Sequence, residues 1–413
     1  MNGERSLHAD LRTMFAAGIE AVSGEAATRR ACRALDIAAP IRLVAFGKAA
    51  GSMARGALDA LDDRERTGGR VVDALVISKH GHLDETLRRD PRLVCLESSH
   101  PVPDRDSLAA GGALLARLGD VADDEHLLVL ISGGGSALVE ALVEGVDLSG
   151  LRARTEALLG NGAAIGEINR VRRGLSRIKG GGALAACGGC GITQLLISDV
   201  PGDVVTDIAS GPFVAPDTDA GTGTGARAVD TRVIASNAIA RRAAAGAATG
   251  LGYTVLDHDG SLDGDIDAVR VRVEAGLPDE PGTVRIWGGE PTVSLPASPG
   301  RGGRNQHLAA SLVPMLALHH AARIAVLVCG TDGTDGPTDA AGGLVDGDSL
   351  VRGTAAGVDL AVRLAAADSG TWLEAAGALV RTGPTGTNVM DLAIAVRGRG
   401  VQSTAHDAGD RAS

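Results

Sequence analysis

The sequence predicts an α/β protein made of two α/β units. Three observations carry this. Short runs of Val, Ile and Leu alternate with Ala-rich segments of helical spacing, the pattern of βαβ units. The runs end in sharp polar turns rich in Gly, Asp and Ser. Aromatic residues are 1% of the chain while apolar residues are 44%. The core must therefore be built from Val, Leu, Ile and Ala, which suits buried parallel strands with closely packed helices.

Residues 9–36 carry helical spacing. IRLVAF (41–46) reads as a buried strand, and the following GKAAGSMARGALDAL reads as a helix opening on Gly47-Lys48. VVDALVIS (71–78) is a second strand, ending in Lys79-His80-Gly81-His82. RLVCLES (92–98) is a third, ending in SSHPVPD. LAAGGALLARL (108–118) is helical. HLLVLIS (126–132) is a fourth strand that runs into Gly133-Gly134-Gly135-Ser136 and a helix. Residues 149–187 are largely helical and contain Lys179. ITQLLIS (192–198) is a fifth strand, ending in Asp199-Val200-Pro201-Gly202-Asp203. Open α/β sheets bind ligands at the carboxyl edge of their strands, so these turns face one candidate site.

The Gly/Thr/Asp-rich stretch 216–230 reads as a boundary between units 1–230 and 231–413, a size for each within the usual range of a domain. VIASN (233–237) opens the second unit. It continues with YTVLDH (253–258), a helix near 264–276 and TVRIWGGEPTV (283–293). The turn SPGRGGRNQ (298–306) leads into another helix. ARIAVLVCG (322–330) is a buried strand ending in TDGTDGPTDAAGG, and TGPTGTNVMD (382–391) precedes the closing strand LAIAV.

A formal net charge of −11 argues against nucleic acid as a partner. No apolar run approaches the roughly 20 residues of a membrane span. Five cysteines without a regular framework point to a reducing compartment. The first 22 residues are charged throughout and carry no signal-peptide core. The expectation is a cytoplasmic protein without membrane partners.

Lysine is the informative residue. The chain has three, Lys48, Lys79 and Lys179, against thirty-seven arginines. A compact ammonium fits a tight pocket where the broad guanidinium fork does not. Lys48 stands in the first turn of a helix, against the dipole, which points to an anion partner. Lys179 follows a helical segment and precedes three glycines, where a dipole contact and a phosphate contact are equally good readings. Lys79 lies among His80, His82 and His100. That spacing is weak evidence for zinc and fits rim polar groups.

SGGGSAL (132–138) lets successive N–H groups converge on an anion, so Ser132, Gly133, Gly134, Gly135 and Ser136 are candidate phosphate ligands. SDVPGD (198–203) places Asp199 and Asp203 on a Pro-Gly turn, which suits either Mg²⁺ held with substrate phosphates or a plain Asx turn. Asp332, Asp335 and Asp339 lie in one loop, without EF-hand spacing. Arg304 stands just before a helix, placed for a two-pronged contact to a carboxylate or phosphate. The lone Cys187-Gly-Gly-Cys190 has no second pair to make a metal site.

Together the segments FGKAAGSMA, SSHPVPDRDSLAAG, LISGGGSAL, INRVRRGLSRIKGG, LISDVPGDVVTDIASGP, GGEPTV, GRGGRNQ, GTDGTDGPTDAAGG and TGPTGTNVMDL resemble the glycerate 2-kinase family with its MOFRL C-terminal domain. The resemblance runs from about residue 7 to about residue 397. It implies two α/β domains, an N-terminal Rossmann-like parallel sheet with helices on both faces and a C-terminal MOFRL-type domain, with the active site in the cleft between them. It implies phosphorylation of D-glycerate by ATP, with Mg²⁺ or another divalent cation. The product expected is 2-phosphoglycerate, and a homodimer is compatible with it.

Matched by motif, Lys48 and Arg304 are the expected catalytic pair. Ser132 to Ser136, Lys179, Asp199, Gly202, Asp332 and Gly333 are expected to line the nucleotide site, with Asp199, Asp203 or Asp332 on the metal. Three positions depart from the family pattern. Gly174 stands where His is common, Gly182-Ala183 where Arg or Lys is common, and His307 where Glu is common. The alternatives are a hydroxypyruvate oxidoreductase, for which the sequence lacks a GxGxxG after its first strand, and a non-catalytic sugar-acid or nucleotide-binding protein.

Overall fold

The computed structural model describes residues 6–62, 69–160, 165–215 and 228–399. Most of the predicted boundary stretch, 216–227, lies outside them. In chain order the described elements are α1 (Leu7–Val22), α2 (Gly24–Arg33), β1 (Ile41–Phe46), α3 (Ala50–Asp62), β2 (Val71–Lys79), α4 (Glu85–Arg89), β3 (Leu93–Ser98), α5 (Arg105–Gly119), β4 (His126–Ile131), α6 (Gly135–Leu138), α7 (Leu148–Gly160), α8 (Ile165–Gly174), α9 (Gly182–Ala185), β5 (Gly191–Ile197), β6 (Val229–Ala235) and α10 (Asn237–Gly250). They continue as β7 (Thr254–Ser261), β8 (Gly264–Asp265), α11 (Ile266–Ala275), β9 (Thr283–Gly289), β10 (Pro291–Thr292), α12 (Arg304–Leu318), β11 (Ile324–Gly330), β12 (Gly342–Asp346), α13 (Ser349–Ala355), α14 (Leu360–Ala365), α15 (Ser369–Ala375), β13 (Leu379–Val380) and β14 (Asp391–Arg397).

The first sheet is parallel throughout, in the order β3-β2-β1-β4-β5-β6. This is the doubly wound order, with its switch point between β1 and β4. The second sheet, β13-β12-β11-β14-β9-β7, is mixed: β11, β14 and β9 alternate in direction. A two-stranded pair of β8 and β10 stands apart from both.

The molecule is layered. Side chains of β1 and β4 (Leu43, Ala45, Leu128, Leu130) share one core with α1, α3 and α10 (Leu11, Met53, Ala244) and with the near face of the second sheet (Ile286, Leu327, Ile394). A helical layer is thus buried between the two sheets. Helix α5 covers the outer face of the first sheet through Leu114 and Leu118. Helices α11, α12 and α15 cover the outer face of the second, around Trp287 and Trp372. The near absence of aromatic residues is what lets the central helices approach closely. At Gly56 of α3, a Cβ would overlap the Glu25 carbonyl of α2.

The structure moves two boundaries of the sequence reading. The strand around Val233 does not open a second unit; β6 is the sixth strand of the first sheet, paired with β5. The hydrophobic pattern locates a strand but not its sheet. Helix α1 comes first in the chain yet packs against the second sheet's core, and Tyr253 donates a hydrogen bond to Asp10 (2.8 Å). No helix among the described residues is long and apolar enough to cross a membrane.

Candidate active site

The switch point between β1 and β4 shapes the first half of the site. After β1 the chain turns through Gly47, Lys48 and Ala49 before α3 begins at Ala50. Lys48 therefore lies in the turn ahead of the helix, not in its first turn as the sequence reading had it. The turn after β4 holds it in place. Lys48 N–H donates to the Gly133 carbonyl (2.9 Å), and Ala49 N–H donates to the Ser132 hydroxyl (2.9 Å). Gly134 takes φ +81, and a Cβ there would press on the His100 ring at 2.9 Å and on Lys48 Cγ at 3.2 Å. At Gly133 a Cβ would overlap the Asp199 carboxylate. Lys48, His100 and Asp199, from the ends of three different strands, thus converge on one glycine turn. Burial pushes the Asp199 carboxyl up to about 6, against the pull of the Lys48 ammonium.

The second sheet presents its own edge. Gly289, Asp391 and Gly330 stand side by side in the ladder, so Glu290, Asp391 and Asp332 emerge together. Arg304 is the first residue of α12. Its Nε and Nη2 donate to the two oxygens of Asp391 (2.6 and 3.3 Å), and its Nη1 donates to Glu290 (2.6 Å). Burial opposes the guanidinium's charge, but Asp391, Glu290 and Asp335 outweigh it and raise its pKa. Burial pushes buried Asp391 up to about 7, with Arg304 acting against it. The start of α12 has no cap of its own at Gly303. Asp335, from the loop after β11, supplies one: its carboxylate accepts from the N–H groups of Asn305 (3.1 Å) and Gln306 (2.8 Å).

Two chambers meet between these edges. The larger, about 510 Å³, is walled by Arg304, Glu290, Asp335, Val293, Leu295 and Pro337. The smaller, about 370 Å³, is walled by Lys79, His82, His100, Arg55 and the 384–387 loop. Lys48, Asp332 and Thr334 wall both. The cation most exposed to both spaces is thus the lysine of the first turn after β1.

Several predicted ligands have other duties. The Lys179 ammonium is spent on Glu140; the two residues are 3% and 0% exposed, and Ser176 donates to the same carboxylate (2.6 Å). This corrects its nucleotide-site assignment: a buried ion pair ties the loop before α9 to the segment after α6. Ser132 is fully buried and serves the Lys48 turn. A Cβ on Gly135 would meet Phe46 and Ala209, so this residue packs inward. Ser136 pairs with Ser210 (3.0 Å). Gly333, at φ +88, lets its loop touch the Gly383 carbonyl. Gly202 and Asp203 sit on the turn that follows Asp199, and none of the three is a wall residue of either chamber; Asp199 meets the site through the Gly133 turn that it packs against.

The acidic residues do not form a ready-made metal cage. Among the described residues, groups of three possible ligands within 4.8 Å are His80, Asp104 and Asp106, and Asp257, His258 and Asp259. Asp199, Asp203 and Asp332 belong to neither. Sequence reasoning also missed Glu290 and Asp391 as site groups, and it read His82 and His100 only as rim polar groups beside Lys79. Each stands at a strand end. Glu290 and Asp391 are single carboxylates beside long apolar runs, a signal that could have been read.

Comparison with known proteins identifies the family. A family model described as a domain of unknown function, DUF4147, matches residues 10–242, and the MOFRL family model matches residues 283–391. A protein of Pyrococcus horikoshii named glycerate 2-kinase is 36% identical over 87% of this chain and 88% of its own length. A protein of Agrobacterium vitis with a provisional hydroxypyruvate reductase name is 38% identical over 85% of each chain. The crystal structure of a glycerate kinase from Thermotoga maritima superposes with a TM-score of 0.84 at 32% identity, covering 94% of this chain and 98% of that one. With relatives of this name above 30% identity over most of both chains, and both family models matched, the chain belongs to the glycerate kinase family.

Proposed function

We propose that this protein transfers the γ-phosphoryl group of ATP to the 2-hydroxyl of D-glycerate, giving 2-phosphoglycerate and ADP. The observation that carries the reading is the junction of two unlike chambers at Lys48 and Asp332. One is walled by carboxylates, an arginine and apolar side chains. The other is walled by lysines and imidazoles. A kinase needs such a junction, because donor and acceptor must meet in line.

Asp199 takes the proton of the attacking hydroxyl, for which a carboxyl near 6 is suited at neutral pH. The hydroxyl oxygen bonds to the γ-phosphorus as the bond to the β-γ bridging oxygen breaks, and the electron pair leaves with ADP. Lys48 neutralises charge on the transferring group. Arg304 has two oriented carboxylate partners and keeps further N–H groups for the phosphoryl oxygens. Its fork is held by Asp391, so the transition state, not the glycerate carboxylate, is its target. Asp332 and Glu290 face the larger chamber, and such hard oxygen donors fit Mg²⁺ carried by substrate phosphates. When bound, that ion would offset charge on the β- and γ-phosphates. We also propose two lobes, with the division after β6.

The test is a coupled assay with ATP, Mg²⁺ and D-glycerate, followed by phosphorus NMR of the product. A 2-phosphoglycerate signal is expected. Oxidation of NADH by hydroxypyruvate without ADP release would overturn the reading.

A further inference from the structure

Cations outnumber carboxylates on the wall of the smaller chamber: Lys48, Lys79 and Arg55 stand against Asp332. Among the described residues, neither the Lys48 nor the Lys79 ammonium takes part in an ion pair or side-chain hydrogen bond. Neighbouring cations are satisfied: Arg55 pairs with Glu25 and Asp84, and Lys179 with Glu140. Two unpaired ammoniums facing one concavity are retained at an electrostatic cost that an anionic ligand offsets.

His82 and His100 complete the wall. Burial and the two lysines hold both imidazoles toward the neutral form, His100 down to about 4. At neutral pH they offer N–H groups without adding charge. Across the chamber runs the 384–387 loop, anchored where the Ser52 hydroxyl donates to the Gly386 carbonyl (2.7 Å) and Thr387 donates to the Val22 carbonyl (2.7 Å). This wall is fixed to the central helices.

The larger chamber is the opposite. Glu290 and Asp335 wall it alone, beside the shared Asp332, and would repel a bare carboxylate, whereas a metal-bearing polyphosphate needs carboxylate oxygens. Val293, Leu295 and Pro337 give it an apolar flank of the kind that nucleosides use.

We infer that the smaller chamber seats the carboxylate of the acceptor acid, with Lys79 reading its charge, while the nucleoside of ATP lies along Val293, Leu295 and Pro337. This rests on the kinase reading above. A small monoanionic acid matches two cations and about 370 Å³. A hydroxyl next to a carboxylate held at Lys79 then faces the junction where Lys48 and Asp332 serve both chambers.

The test uses the full chain and two readouts, with folding of each variant checked by thermal melting. Calorimetric titration of wild type, Lys79→Met and Lys79→Arg with D-glycerate and, separately, with ATP gives the affinities. Turnover with D-glycerate and with its uncharged amide gives the charge preference. Lys79→Met is expected to weaken D-glycerate binding about 10- to 100-fold, with ATP affinity within about twofold. It also loses the preference for the acid over the amide, and Lys79→Arg restores part of both. A selective loss of ATP affinity would place the polyphosphate in the smaller chamber and overturn the inference. So would unchanged affinity for both ligands. A wild type that binds D-glycerate but does not phosphorylate it would sink the kinase reading alone, since the isotherms still identify what Lys79 holds.

Discussion

The Cα of Gly133 lies against the Asp199 carboxylate, so closely that a Cβ at this position would overlap Oδ2. The glycine turn after β4 is therefore less a cradle of amides than a fitted surface that sets where one acid sits. Gly133→Ala must displace the Asp199 carboxylate. Turnover is expected to fall at least about tenfold, since sub-ångström misplacement of a reacting group is costly. Affinity for ATP should hold. A variant with wild-type kcat would show that Asp199's position is not critical.

Asp199→Asn separates catalysis from stability. The ordinary carboxyl value is 3.8 and the folded value about 6, so the native state holds this proton more tightly than the unfolded chain. Stability then falls as pH rises from about 4 to about 6, and the full cost remains above that window. The variant should lose turnover yet melt higher at pH 7.5, by the equivalent of about 1–2 kcal/mol after screening. The gain should vanish below about pH 4. Thermal melts across pH test this, and an unchanged or lower Tm at pH 7.5 contradicts it. In the wild type, the acid limb of the kcat/KM profile should fall near pH 6.

Lys48→Ala removes the cation shared by both chambers. Loss of one such stabilising group costs about 10²–10³ in kcat. The Lys48 side chain has no ion-pair partner among the described residues, so Tm should change little. Near-wild-type turnover would sink its assignment.

Arg304→Lys keeps the charge but loses the fork held by Asp391 and Glu290. The expected result is a large drop in kcat, about 10²-fold, with the D-glycerate KM little changed. A rise confined to the D-glycerate KM would return Arg304 to the acid's carboxylate.

Glu140→Gln strands the Lys179 ammonium in a fully enclosed site. Breaking a buried pair in this way costs about 3–5 kcal/mol, readable as a large fall in Tm. KM for ATP in the surviving folded fraction should be unchanged. A selective loss of ATP affinity, with Tm intact, would restore Lys179 to the nucleotide site.

The sequence was most informative where chemistry is local. The predicted first strand coincides with β1 residue for residue, and the other first-sheet runs that were read as strands differ from β2 to β5 by a residue at either end. Lys48 stands out by the scarcity of lysine, by its place at the start of a helix and by its motif. For Lys179 the local pattern left a dipole contact and a phosphate contact equal, because spacing cannot reveal that Glu140, 39 residues upstream, waits for it in the core. That pattern left Lys79 unexplained, because the loop at 384–387 that closes its chamber comes from the far end of the chain.

By itself, then, the sequence determined the α/β class, the parallel first sheet and the strand-end turns. Those follow from periodicity and residue chemistry within a few turns of chain. The tertiary structure alone decided which turns meet. Ladder register set Glu290, Asp391 and Asp332 on one edge, β6 joined the first sheet, and the buried helical layer brought the two edges face to face. These are consequences of packing between residues tens to hundreds of positions apart, and no local pattern encodes them.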